Sequence, residues 1–136
     1  KKISLCFPLL LFSILTFSQT ERYPVFSQCD SLQISQLPTC FKIQVKEQVM
    51  NEFKIPENVQ KENFKGTVNI AFLVNNEGVF ELVYVNSPYA ELKEEAERVF
   101  KTLPKISPAQ FNNHKVEMQF VSETQELTIL KNLYIP

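Results

Sequence analysis

Gly66 to Ser87, GTVNIAFLVNNEGVFELVYVNS, reads as two β-strands joined by a tight polar turn, and the rest of the chain reads as cover for that hairpin. Val68, Ile70, Phe72 and Val74 recur at period two, which places all four on one face while Asn69 and Ala71 take the other. That face is the expected core face. Asn75-Asn76-Glu77-Gly78 supplies residues that tolerate positive φ, as a short hairpin loop requires. The return strand alternates less cleanly, with Phe80, Leu82 and Tyr84 in one phase and Val83 and Val85 in the other. A β-bulge near Glu81 and Leu82 would let Phe80, Val83 and Val85 face inward together; the alternative is a strand partly covered on both faces.

A chain of 136 residues with 44% hydrophobic residues, twelve Phe and no Trp is long and apolar enough to bury a real core as one domain. Fourteen Lys and Arg against fifteen Asp and Glu leave a net charge of −1. No basic block occurs, so the electrostatic footprint of nucleic-acid binding is missing. The two glycines, Gly66 and Gly78, both sit at hairpin ends, which leaves no Gly-rich phosphate cradle.

The chain opens KKISLCFPLLLFSILTFSQ, two lysines followed by an apolar run and the small residues Thr16 and Ser18 before Gln19, which is the pattern of a secretory signal peptide over residues 1–18. A membrane anchor is the alternative, but a run of about 15 residues containing Pro8 falls short of the roughly 20 needed to span a bilayer. Residues 19–38 form an extended lead segment in which Tyr23-Pro24-Val25-Phe26 lies along the domain and buries Tyr23 and Phe26. Two cysteines remain beyond the leader, Cys29 and Cys40. An even pair in an exported chain points to a structural disulfide, ahead of a metal site or a redox pair, for which the spacing and the lone His114 are a poor set.

Phe41, Val45, Val49 and Phe53 recur at i+4 with Lys and Glu opposite, predicting an amphipathic helix that starts near Thr39 and stops before Pro56. Glu57 to Lys65 is expected to add one or two helical turns with Val59 and Phe64 inward. After the hairpin, Leu92, Ala96, Val99, Phe100 and Leu103 define a second amphipathic helix over 90–103. Its Glu91, Glu94, Glu95 and Glu97 read as a solvated face rather than as acid/base or metal-binding groups. Leu103 to Ala109, with two prolines, is extended, and Asn112-Asn113-His114 is a turn. Lys115 to Val121 alternates Val116, Met118 and Phe120 against Glu117 and Gln119, predicting a third strand at the edge of the sheet. His114, in a turn, is expected at the surface without a catalytic role.

These residues carry a family likeness. Gly66-x-Val68-x-Ile70-x-Phe72-x-Val74, a turn with Gly78, Val83-x-Val85-x-Ser87, a helix with Glu94-Glu95-Ala96 and Arg98-Val99, then Leu103-Pro104-Lys105 and Pro108-Ala109, resembles the C-terminal domain of TonB-type energy transducers. Tyr23-Pro24-Val25-Phe26 with Cys29 and Cys40-Phe41 is similar to the variant in exported TonB-like proteins. The likeness runs from Tyr23 to Ser122, and one departure is Ile55-Pro56 where the family commonly has Tyr-Pro. The resemblance implies an α+β fold, a small antiparallel sheet of a hairpin plus an edge strand with two helices packed on one face. It further implies binding of a short segment of an outer-membrane transporter, added to the sheet as a strand.

The expected organisation is therefore a signal peptide at 1–18, a lead at 19–38, a TonB-like domain at 39–122 and a tail at 123–136 that, from the alternation of Leu127, Ile129, Leu133 and Ile135, is either a fourth strand or the opening of a further region. The expected function is a non-enzymatic periplasmic protein-interaction module, in energy-coupled outer-membrane transport, with no cofactor and no metal. Its partner-binding edge would be Lys115, Val116, Glu117, Met118, Gln119, Phe120 and Val121, and its partner an outer-membrane transporter or envelope complex. Membrane association would come only through that partner or through sequence beyond this stretch. The alternative is the N-terminal module of a longer outer-membrane or surface protein in a motility or secretion system.

Overall fold

The computed structural model describes residues 19–62 and 67–121. The expected signal peptide over 1–18, Phe64, Gly66 and the expected tail over 123–136 lie outside the described residues. In chain order the elements are β1 (Glu21–Arg22), α1 (Leu37–Glu52), α2 (Glu57–Lys61), β2 (Asn69–Val74), β3 (Phe80–Asn86), α3 (Ala90–Thr102), β4 (Ala109–Phe111), β5 (His114–Val116) and β6 (Met118–Val121). Short 3-10 turns at Ser27–Cys29 and Ile34–Gln36 lead into α1. The fold is α+β, with two antiparallel three-stranded sheets ordered β3-β2-β6 and β1-β4-β5.

The hairpin forms as its alternation dictates. Val68, Ile70, Phe72 and Val74 are all buried, and Ala71 on the opposite face is buried too because β2 is the central strand. A bulge interrupts the β2–β3 register, for Ala71 faces Tyr84 while Phe72 faces Leu82, leaving Val83 as the extra residue. Its effect differs from the expected one. Leu82 and Val85 turn toward the core with Phe80, whereas Val83 and Tyr84 both face outward, 52% and 59% exposed. The bulge falls one residue later than the sequence pattern suggests, which reverses the face of Val83.

Both long helices cover the core face. The α1 stripe of Leu37, Phe41, Val45 and Val49 is buried, as are Leu92, Ala96, Val99 and Phe100 of α3. α1 begins two residues before the expected Thr39, since Pro38 sits in the first turn, where its missing N–H breaks no helical hydrogen bond. Phenylalanines knit the layers: Phe72 lies 5.1 Å from Phe100, 5.2 Å from Phe120 and 6.0 Å from Phe80, measured between ring centroids. Phe41 reaches the same cluster through Phe120 at 4.6 Å and through Phe26 at 5.9 Å. Cys29 and Cys40 are disulfide-bonded, which holds the lead segment against the start of α1. Closing so short a loop contributes about 2–3 kcal/mol through the unfolded chain.

The second sheet was not legible as a sheet. Glu21 and Arg22 pair with Phe111 and Gln110, and β4 turns through Asn112 and Asn113 into β5. Both asparagines adopt left-handed φ, 48° and 65°, which Asn tolerates better than most residues. His114 therefore belongs to β5, paired with Phe111, and not to the turn.

The two sheets are joined through the hairpin loop. Gly78 has φ of 84°, and its carbonyl accepts a hydrogen bond from the Ile106 N–H at 3.0 Å. A Cβ at Gly78 would lie 1.7 Å from the Ile106 carbonyl oxygen, so only glycine admits this approach. Ser107 and Val25 then exchange backbone hydrogen bonds of 3.0 and 2.9 Å. The loop itself is held by Asn75, whose Oδ1 accepts from the N–H groups of Glu77 and Val79.

Phe72→Ala is expected to lower unfolding free energy by about 3–5 kcal/mol in urea titration, because it removes the ring that meets α3 and both flanking strands. Gly78→Ala is expected to cost at least about 1–2 kcal/mol from backbone conformation alone, and more through collision with Ile106. Near-neutral values in the same titrations would contradict the core face and the loop contact respectively.

Candidate functional site

The main sheet has two outer strands, and each leaves one side without a strand neighbour among the described residues. On β6, Ala71 pairs with Val121, Phe72 with Phe120, Leu73 with Gln119 and Val74 with Met118, a register without interruption. Phe120 turns inward, where it meets Phe41, Phe72 and, at 5.9 Å, Tyr23. Gln119 and Val121 turn outward, Val121 being 65% exposed. Across the outer face, Val121, Ala71 and Tyr84 stand side by side on adjacent strands.

The strand expected from Lys115 to Val121 is not one strand. Lys115 and Val116 lie in β5, paired with Gln110 and Ala109, and Glu117 falls between strands. Only Met118, Gln119, Phe120 and Val121 join β2. The alternation of Val116, Met118 and Phe120 runs through both pieces, so the period carries no sign that the chain changes sheets at Glu117. What commits the first piece elsewhere is the Asn112-Asn113 turn, which folds it back on β4.

The edge of β3 is different in kind. The bulge at Val83 breaks its ladder, and α3 runs alongside it. Between them lies an open groove of about 520 Å³, floored by Leu82, Val85 and Phe100 and walled by Lys93, Glu97 and Lys101.

The glutamates of α3 do not behave as a uniform solvated face. Glu95 is only 13% exposed at its side chain and holds α1 to α3: its carboxylate accepts the Lys54 N–H at 2.8 Å and two hydrogen bonds from Arg98 at 2.7 and 2.8 Å. Arg98 also donates to the Glu52 carbonyl at 2.6 Å, satisfying a backbone group that the end of α1 leaves open. The Arg98 hydrogen bond is the largest influence on Glu95 and holds its carboxyl below the usual glutamate range, against a smaller opposing effect of burial. Elsewhere on the same side, Glu91 accepts from Asn58 at 2.6 Å, and the Tyr89 hydroxyl donates to Glu62 at 2.5 Å. That bond to Glu62 is the main reason the Tyr89 phenol lies above its ordinary pKa.

Among the described residues no group of three or more His, Cys, Asp or Glu side chains is placed to hold a metal ion, and no helix is long and apolar enough to cross a membrane. His114 is exposed on β5. Comparison with protein-family models, with curated proteins and with solved structures finds no match.

Because Glu95 is more acidic folded than unfolded, its contribution is complete above the ordinary glutamate pKa and fades as pH falls through that value to the lower folded one. Glu95→Ala is expected to cost about 1 kcal/mol near neutrality. In paired denaturation curves at stepwise lower pH, the gap between the two proteins should close below the glutamate range; a gap that stays constant would show that Glu95 acts there only through packing.

Proposed function

We propose that this chain is an exported, non-enzymatic protein-interaction module that binds an extended segment of a partner protein by strand addition to β6. The observation that carries this is the open side of β6. It is a regular strand, hydrogen-bonded on one side to the central strand of the sheet and, among the described residues, offered on the other without bulge, proline or charge across Met118–Val121. Such an edge presents backbone N–H and C=O groups to an incoming chain, and main-chain pairing supplies affinity with little dependence on sequence.

The resemblance to the TonB C-terminal domain agrees with this arrangement, which packs two helices on one face of a hairpin plus an outer strand. It supports a periplasmic setting and, as partner, the periplasm-facing segment of an outer-membrane transporter. The leader-like residues 1–18 support export. Lys115 and Glu117 fall outside the pairing strand in this proposal, and Gln119 and Val121 become the side chains that meet the partner.

Peptides copied from periplasm-facing segments of outer-membrane transporters in the same organism are expected to bind the 19–136 chain and to slow amide exchange across Met118–Val121. Gln119→Pro should weaken that binding about tenfold or more. A folded Gln119→Pro protein with unchanged affinity, or peptide binding that leaves those amides unprotected, would remove β6 as the docking edge.

A further inference from the structure

We propose a second docking site on this domain: the groove between β3 and α3 takes an extended protein segment whose α3-facing side chains read acid, base, acid at alternate positions. The proposal is independent of strand addition at β6. Three features of the groove carry it. First, Lys93, Glu97 and Lys101 stand one turn apart on the α3 wall, so the charge along the wall runs plus, minus, plus. None of the three is in an ion pair among the described residues, whereas Glu95 and Arg98 on the neighbouring face are paired. Second, the floor is apolar, with half-buried Leu82 and Val85 over the buried Phe100, and lies beside the side of β3 that has no strand neighbour among the described residues, where Glu81 also lines the groove. Third, Val83 and Tyr84 project together from the opposite face of β3 at the bulge, so apolar surface flanks the edge on its outer side as well.

The spacings match. Four residues of helix advance about 6 Å, and two residues of an extended strand advance about 6.6 Å. A strand laid along β3 therefore brings every second side chain opposite Lys93, Glu97 and Lys101 in turn, and the side chains between them fall beside Val83 and Tyr84. The complementary pattern is carboxylate, β-branched, cation, β-branched, carboxylate. It reads the same in both directions, so a parallel and an antiparallel segment satisfy it equally. Because the bulge interrupts backbone pairing at Val83, main-chain hydrogen bonds alone give a weaker ladder here than on β6. Selectivity then rests on the charged wall, with like-charge contacts excluding the wrong segments.

The test uses two blocked peptides, Gly-Glu-Val-Lys-Val-Glu-Gly and its inverse Gly-Lys-Val-Glu-Val-Lys-Gly, titrated into the 19–136 chain at low salt with amide chemical shifts as the readout. The first should bind about tenfold tighter than the second, with shifts centred on Glu81 to Val85. The triple variant Lys93→Glu, Glu97→Lys, Lys101→Glu, at two exposed positions and one half-buried one, should reverse the order, and Gln119→Pro should leave it intact. Equal affinities, absence of binding, a preference that the triple variant fails to reverse, or shifts confined to Met118–Val121 would each overturn the proposal.

Discussion

Gly78 and Ile106 meet backbone to backbone, and the joining of the two sheets depends on that contact. Gly78 meets two conditions at once, a left-handed φ and a neighbour so near that no side chain fits. Through it the hairpin loop grips the segment after α3, and the next residue, Ser107, grips Val25 in the lead segment. Val25, Phe26 and Cys29 are thereby fixed in the core, and the disulfide carries the connection on to α1. A lead segment rich in proline and poor in periodic pattern thus becomes part of the packed domain.

The phenylalanine cluster then decides which strand edges remain open. Phe72 on the central strand lies between Phe100 of α3 and Phe120 of β6, and Phe41 of α1 closes over Phe120 and Phe80. With both helices committed to this face, the outer face of the sheet carries Val121, Ala71 and Tyr84 in a row, exposed at its two ends. Among the described residues β6 and β3 each keep one unpaired side, but the bulge at Val83 makes them unequal. A regular edge suits recognition through the main chain; an interrupted edge beside a charged helix suits recognition through side chains.

Electrostatics on α3 divides the same way. Glu95 and Arg98 face α1 and are spent on holding the two helices together through Lys54 and Glu52. Lys93, Glu97 and Lys101 face the groove without ion-pair partners among the described residues. From the sequence the glutamates of this helix look equivalent, since each simply falls outside the apolar stripe. Their difference comes from what packs beside each one.

The sequence by itself determined the local elements. The period of two at Val68 to Val74, the i+4 stripes of α1 and α3 and the Asn75–Gly78 loop each announce a structure that short-range sterics and amphipathicity enforce, and the Cys29–Cys40 pair follows from an even cysteine count beyond the leader. Tertiary structure alone decided the rest. Whether Val83 or Leu82 faces the core depends on where a bulge settles against β2, and whether Lys115 to Val121 is one strand or two depends on which partners compete for it. Glu21 and Arg22 become a strand only because Phe111 and Gln110 are brought beside them. Strand pairing is a contact between residues distant in the chain, and alternation, which records only the faces of a strand, holds no information about its neighbours.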